Sequence, residues 1–233
     1  MANKKEQGNA ELNEVLSKSE AFAKQYGKAV VIALAAIILL IIGTFAYKYL
    51  VSGPRENKAS TELGTGQELF GQELFETALN GDSANYSGFL KIAEDYSNTA
   101  AGNLANLYAG LCYANLDKWE EAVKYLDKYN TANDQLVSPA AVAALGNAYA
   151  HVERIDDAVN ALKKAAKMAD GKSANGVNNS FAPTFLLQAG KLLESQNKKE
   201  DALKVYQKIK EKYIGSILVQ SGEIDKYIER ASL

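Results

Sequence analysis

The side chains that could do chemistry in this chain of 233 residues are few. There is one histidine, His151, and one cysteine, Cys112. A zinc site needs three or four nitrogen, sulfur or oxygen ligands. A cysteine nucleophile needs a base beside it. Neither set can be assembled from one distant pair. His151 falls in a hairpin turn and reads as a solvated side chain. Cys112 sits between Leu111 and Tyr113 on an apolar helix and reads as a small buried hydrophobe. The acidic pairs Glu120/Glu121 and Asp156/Asp157 open helices, where negative charge suits the helix dipole. They are not an acid and a base at one site. No glycine-rich loop is placed to cradle phosphate. The expectation is a protein with no catalytic residue, no metal, no cofactor and no small-molecule substrate: a binding protein, not an enzyme.

Charge narrows the partners. The chain carries 26 basic and 28 acidic residues, a net charge of −2. It has no basic patch of the kind that binds nucleic acid, so none is expected as a partner. A lone cysteine cannot form an internal disulfide and says little about redox compartment. Only three prolines, with abundant Ala, Leu, Lys and Glu, favour an all-helical chain.

The elements that could position a binding surface repeat themselves across residues 101–214. LYAGLCYANLDKWEEAVKYL aligns with LGNAYAHVERIDDAVNAL and with QAGKLLESQNKKEDALKVY. Gly110, Gly146 and Gly190 share one position; Tyr113, Tyr149 and Leu193 fall three later; Ala122, Ala158 and Ala202 fall twelve after each glycine. The units recur after 36 and then 44 residues, the extra length lying in DGKSANGVNN. Each unit reads as two antiparallel helices. Glycine and alanine mark their closest approach, where no large side chain fits. Trp119 and Ile155 start the second helices, and Leu126, Leu162 and Tyr206 are expected to pack them onto the next unit. One hairpin cannot bury its apolar face, so neighbours stack into a solenoid. This small–bulky–small signature resembles the tetratricopeptide repeat. The fold expected is all-α, an N-terminal transmembrane helix followed by a tetratricopeptide-like α-solenoid.

Solenoids of this type bind along the exposed face of their first helices. By alignment that face offers Leu104, Leu107, Leu111 and Asn115 in the first unit, Ala140, Ala143, Asn147 and His151 in the second, and Thr184, Leu187, Lys191 and Glu194 in the third. The groove is apolar at one end and polar at the other, suited to an apolar peptide or helix. The competing possibility is that residues 58–79, or a second copy of the chain, fill it.

The N-terminal stretch KAVVIALAAIILLIIGTFAYKYL sets the compartment. Nineteen residues between Lys28 and Lys48 carry no charge. As a helix they span about 28 Å, close to the hydrocarbon thickness of a bilayer. The 28-residue leader contains four glutamates, and no good cleavage site follows, so an uncleaved anchor fits better than a signal peptide. Five lysines precede the span against Lys48, Arg55 and Lys58 just beyond it, which favours a cytoplasmic N-terminus. Within the leader Leu12, Val15, Leu16, Phe22 and Tyr26 recur at helical spacing. They read as one face of an amphipathic helix, lying on the membrane or docking to a membrane partner.

The organisation expected is therefore a leader (1–28), a transmembrane helix (29–51), a linker (52–57) and a degenerate helical repeat (58–100). Three tetratricopeptide-like repeats (101–214) and a capping helix (215–233) complete it. In the degenerate part, residues 58–79 read as one helix and 86–96 as a second. This layout, with FAKQYGK before the span and FLKIAEDYSNTAAGNLA beyond it, resembles the bacterial ancillary subunit of the Sec translocon. Phe22, Gly27 and Lys28, and residues 96–101, carry the likeness. The resemblance implies a non-catalytic, single-pass inner-membrane protein with a periplasmic repeat domain. Its partners would be the Sec channel and a membrane-anchored periplasmic chaperone. The alternative is a scaffold for another envelope complex, in outer-membrane biogenesis, secretion or division.

Overall fold

The computed structural model describes the backbone of every residue except Met1, Ser83, Ala84, Lys172 and Ala174, and side chains from Lys24 onward. Among the described residues all regular structure is helical. The chain divides into two compact units, Met1–Pro54 and Arg55–Leu233.

The first unit is helix α1 (Ala2–Tyr47), ending in a π-helical turn at Lys48–Ser52. It carries the run long and apolar enough to cross a membrane, and none of that run is buried within the chain. Leu39, Leu40 and Ile42 are exposed. The backbone of the leader is helical; the side chains of Leu12, Val15, Leu16 and Phe22 lie outside the described residues.

The linker expected at 52–57 is not irregular. Helix α2 (Gly53–Gly71) begins within it. The π-helical turn Lys48–Ser52 leads directly into α2, so Gly53 and Pro54 introduce no irregular segment here.

The second unit is a row of helix pairs: α2 with α3 (Phe75–Asn80) and α4 (Phe89–Asp95), then α5 (Ala100–Asn115) with α6 (Trp119–Leu126). The pairs α7 (Val137–His151) with α8 (Ile155–Gly171), and α9 (Ala182–Ser195) with α10 (Lys199–Lys212), follow. Helices α11 (Ile217–Gln220) and α12 (Glu223–Ser232) close the chain, so the C-terminal cap is two helices, not one. Ile224 and Ala231 of α12 are buried in the cluster that also holds Tyr206 and Ile209 of α10.

The small residues sit where crowding demands them. A Cβ on Gly110 would lie 2.6 Å from Leu126, on Gly146 3.0 Å from Leu162, and on Gly190 2.2 Å from Tyr206. Ala122, Ala158 and Ala202 are fully buried. Leu126, Leu162 and Tyr206 therefore close onto the glycine of their own unit, and they also share core clusters with residues of the helices that follow, Leu126 with Ala141, Leu162 with Phe185 and Tyr206 with Ile224.

A further repeated position emerges at the turns. Asp117, Glu153 and Asn197 all have left-handed backbone, φ 56°, 60° and 60°. Each stands seven residues after its glycine. The next residue's N–H reaches back to Tyr113, Tyr149 and Leu193 respectively, a Schellman closure of each first helix. Glu73 does the same at the end of α2, with φ 61° and the Leu74 N–H on the Leu69 carbonyl. Residues 58–79 are thus two helices, not one. Gly66, Leu69, Glu73, Phe75 and Ala78 keep the intervals of the later units. What differs is the second helix, interrupted between Asn80 and Phe89. Phe89 and Tyr86 then press on Gly66 in place of a single second-helix residue.

Candidate binding groove

Two concavities lie along the row of first helices. The first, about 250 Å³, is formed by Leu107, Leu111, Leu136, Val137, Ala140, Ala141 and Ala144 of α5, α7 and the residue before α7. Its lining is wholly apolar. The second, about 470 Å³, is formed by Trp119, Asn147, Ala150, His151, Gln188, Lys191 and Leu192. It is aromatic, polar and cationic. Among the described residues, none from α2 or α3 lines either concavity.

Packing decides which expected groove residues remain accessible. Asn115, Asn147 and Lys191 are exposed, and Leu104 and Leu111 are half-buried. Leu107, Ala143 and Leu187 are buried, at 6%, 4% and 8% exposure. For these three the expectation of an open surface is corrected: they join the core clusters between neighbouring units. Small or branched residues on one first helix let the next approach closely, and the strip between them closes. Leu107 still forms the floor of the apolar concavity. Asn115 turns its amide onto the Leu111 carbonyl, 2.9 Å away.

The polar concavity is built by residues far apart in sequence. His151 is the last residue of α7, not a free turn residue. Its ring stacks on Trp119 of the preceding unit, centroids 3.6 Å apart and planes 5° apart. The pair forms a flat, half-exposed wall. The Oε1 of Gln188 is buried without a hydrogen-bond partner. An acceptor left in that state costs free energy unless a ligand or water supplies a donor. The Lys191 ammonium lies 5.1 Å from the centre of the Tyr227 ring. Glu194 is withdrawn from the groove: Arg230 of α12 binds it through both nitrogens Nε and Nη2, and the Tyr206 hydroxyl donates to it at 2.6 Å. The Arg230 guanidinium holds its carboxyl below the ordinary value, with Tyr206 adding to the effect and burial opposing it.

The remaining reactive candidates are occupied elsewhere. Cys112 is fully buried, and burial pushes its thiol up to about 12. Asp156 and Asp157 bind Lys198 and Arg154 at 2.8 and 2.7 Å on the surface. Among the described residues no group of three His, Cys, Asp or Glu side chains comes together. Tyr26, the described member of the leader face, is half exposed.

The tetratricopeptide repeat family model matches residues 104–132 and 185–213, the first and third of the aligned units. The chain therefore carries tetratricopeptide repeats on an all-helical, repeat-type fold. Among solved structures it is similar to nearly identical TPR-like repeats from Podosopora anserina, attributed to a putative kinesin light chain. Identity is 12% over 77% of this chain and 92% of that one, with a TM-score of 0.47. A second structure of those repeats, carrying one substitution, gives the same values. No curated protein matches.

Proposed function

We propose that the protein is a membrane-anchored, non-catalytic scaffold that holds a protein segment along its first helices. One observation carries the reading. An apolar concavity and a polar, aromatic one sit side by side on one row of helices, and among the described residues neither α2 nor α3 lines either one. Such a surface suits a segment that places an aliphatic side chain against Leu107 and Leu111 and a hydrogen-bond donor toward Gln188. Asn147 and Lys191 would then orient it.

The resemblance of the leader, span and repeats to the Sec ancillary subunit supports a finer reading. The anchor would sit beside the protein-conducting channel with the repeats in the periplasm, helping to pass emerging polypeptides to a chaperone. The leader face of Leu12, Val15, Leu16, Phe22 and Tyr26 would dock to the channel.

The test is site-specific photocrosslinking from positions 147 and 191 in native membranes, followed by purification in mild detergent. Protein crosslinks that disappear in Leu111→Asp, with the Sec channel recovered alongside, are the expected result. Crosslinks that persist in that variant argue against the groove. Recovery of a different envelope complex without Sec components removes the translocon role and leaves the anchored scaffold.

A further inference from the structure

The two long edges of the repeat unit are chemically unlike. One edge collects the starts of the first helices and the ends of the second helices. Asn103 near the start of α5 exchanges hydrogen bonds with Asn130 beyond α6, both at 2.8 Å. Asp170 at the end of α8 accepts from the Asn178 N–H before α9, and from Lys212 and Tyr213 at the end of α10. The opposite edge carries the tight turns, joined by the Trp119–His151 stack and the Lys198–Asp156 ion pair.

Large apolar side chains project from the first edge. Leu136 is 55% exposed, Phe181 40%, Ile214 70% and Ile217 80%. The last three come from abutting segments, Phe181 just before α9, Ile214 just after α10 and Ile217 at the start of α11, and a Cβ on Gly215 would lie 3.1 Å from Asn179. The net charge on this edge is positive. The excess lies toward the C-terminal part of the edge: segments 89–100, 124–136, 163–171, 204–216 and 217–226 carry −1, 0, +2, +3 and −1, whereas the turn segments 117–121, 153–157 and 197–201 carry −2, −2 and 0. Lys204, Lys210 and Lys212 are paired with Asp201, Asp225 and Asp170, which leaves Lys163, Lys164, Lys167 and Lys208 for an anionic surface. The helix dipole accounts for that polarity. It does not account for isoleucines held out in water at the same edge.

The tether runs to the same edge. Arg55 reaches the Asp95 carbonyl at the end of α4, 2.6 Å away. Glu56 accepts the Ala100 and Ala101 N–H groups at the start of α5, at 2.7 and 2.9 Å. Arg55 follows Val51, the last apolar residue of the candidate span, by four positions. Whatever path the chain takes, it stays within about 14 Å of that residue.

From the tether, the exposed isoleucines and the charge, we infer that this edge rests on the anionic lipid surface of the membrane that holds the anchor. Ile214, Ile217 and Phe181 enter the headgroup region, and the lysines around them meet lipid phosphate. The inference rests on α1 spanning the bilayer. It leaves the first-helix groove facing sideways along the membrane, available to a segment emerging nearby.

The experiment uses the full chain reconstituted in vesicles of phosphatidylcholine with phosphatidylglycerol. Single labelling sites are introduced by Ile217→Cys, Glu121→Cys on the opposite edge, and Leu39→Cys in the span. Cys112 is buried and does not compete. Each site carries an environment-sensitive fluorophore, and a nitroxide lipid is the quencher. The expected result is strong quenching at 39, and quenching at 217 at least about threefold above that at 121, falling when phosphatidylglycerol is omitted. Quenching at 39 with equal, weak quenching at 217 and 121 overturns the inference and keeps the anchor. No quenching at 39 overturns the anchor and the inference together. Quenching at 217 indifferent to anionic lipid overturns the electrostatic basis. Crosslinking of position 217 to a protein in native membranes, without lipid contact, reassigns the edge and overturns it as well.

Discussion

The two ends of the repeat unit are held by different physics. At the N-terminal end the contacts are aromatic. Phe89 is fully buried, stacks on Tyr108 at 5.2 Å and meets Tyr86 edge-on at 6.3 Å, while Phe70 packs edge-on against Phe75 and Tyr108. At the C-terminal end a buried apolar cluster that includes Leu193, Tyr206, Ile209 and Ile224 is fastened by polar and ionic contacts. Asp170 gathers Lys212, Tyr213 and the Asn178 N–H, Glu194 gathers Tyr206 and Arg230, and Lys210 pairs with Asp225 of the closing helix at 2.8 Å. The first end has an interrupted second helix and compensates with rings. The second has an unbroken one and needs its last turns and cap fastened. Because each unit touches only its neighbours, the two ends should fail separately and under different conditions.

The largest effect is expected at the aromatic end. Phe89→Ala removes a buried ring and leaves a hole over Gly66, a loss of about 3–5 kcal/mol. Hydrogen exchange on the full chain in detergent should show α2–α5 opening while α9–α12 keep their protection. Uniform opening of the whole unit would mean the two ends are coupled, and the contrast would collapse. At the other end Asp170→Ala strands the buried Tyr213 hydroxyl and the Asn178 N–H, a loss of about 2–3 kcal/mol. Its effect should fall on the ends of α8 and α10.

Gly190→Ala probes how rigid the C-terminal end is. The added carbon would lie 2.2 Å from the Tyr206 ring. That ring is fully buried and its hydroxyl is held by Glu194, so it has little room to swing away. The expected loss is about 1–3 kcal/mol. Gly146→Ala meets Leu162 at 3.0 Å and should cost visibly less when the thermal melts of the two variants are compared.

Acid should act on the ionic end through Glu194. Its folded-state carboxyl titrates below the ordinary value of 4.5, chiefly because of Arg230. Its contribution is therefore complete above that ordinary value and disappears as pH falls through the lower folded value. Exchange of α12 should rise in that window. Arg230→Gln should abolish the acid step and leave α12 equally loose on both sides of it; an unchanged step would place the titrating group elsewhere.

The helix pairs were legible in the sequence because close approach admits so few residue types. Gly110 and Ala122 mark it in the sequence, and in the structure Leu126 closes on Gly110 while Ala122 is fully buried. Three features were harder to read. The break after α2 is hidden in GQELFGQELF, which is composed mostly of good helix formers. Only the intervals from Gly66 to Leu69, Phe75 and Ala78 betray it. The burial of Leu107, Ala143 and Leu187 depends on how closely neighbouring first helices approach, which no single-helix pattern contains. The Trp119–His151 wall joins two units, so neither residue announces it alone. Composition exposed the long apolar run; the apolar edge needed distant segments brought together.

The smallest effect separates packing from turn geometry. Glu73 at the aromatic end and Glu153 in the unit beyond it, outside that end, hold the same left-handed position, φ 61° and 60°. A glutamate side chain is strained there, and glycine is not. Glu73→Gly and Glu153→Gly should each stabilise their turn, by about 0.5–1 kcal/mol once the extra freedom of glycine in the unfolded chain is set against the relieved strain. Arg154 rather than Glu153 carries the local ion pair with Asp157, so the second change breaks no such contact. Equal gains in slowed exchange of α2 and α7 would locate what sets the aromatic end apart in side-chain packing alone. A gain at Glu153 with a loss at Glu73 would show that the aromatic end relies on its turn as well, and that the interrupted helix after it is held in part by Glu73 itself.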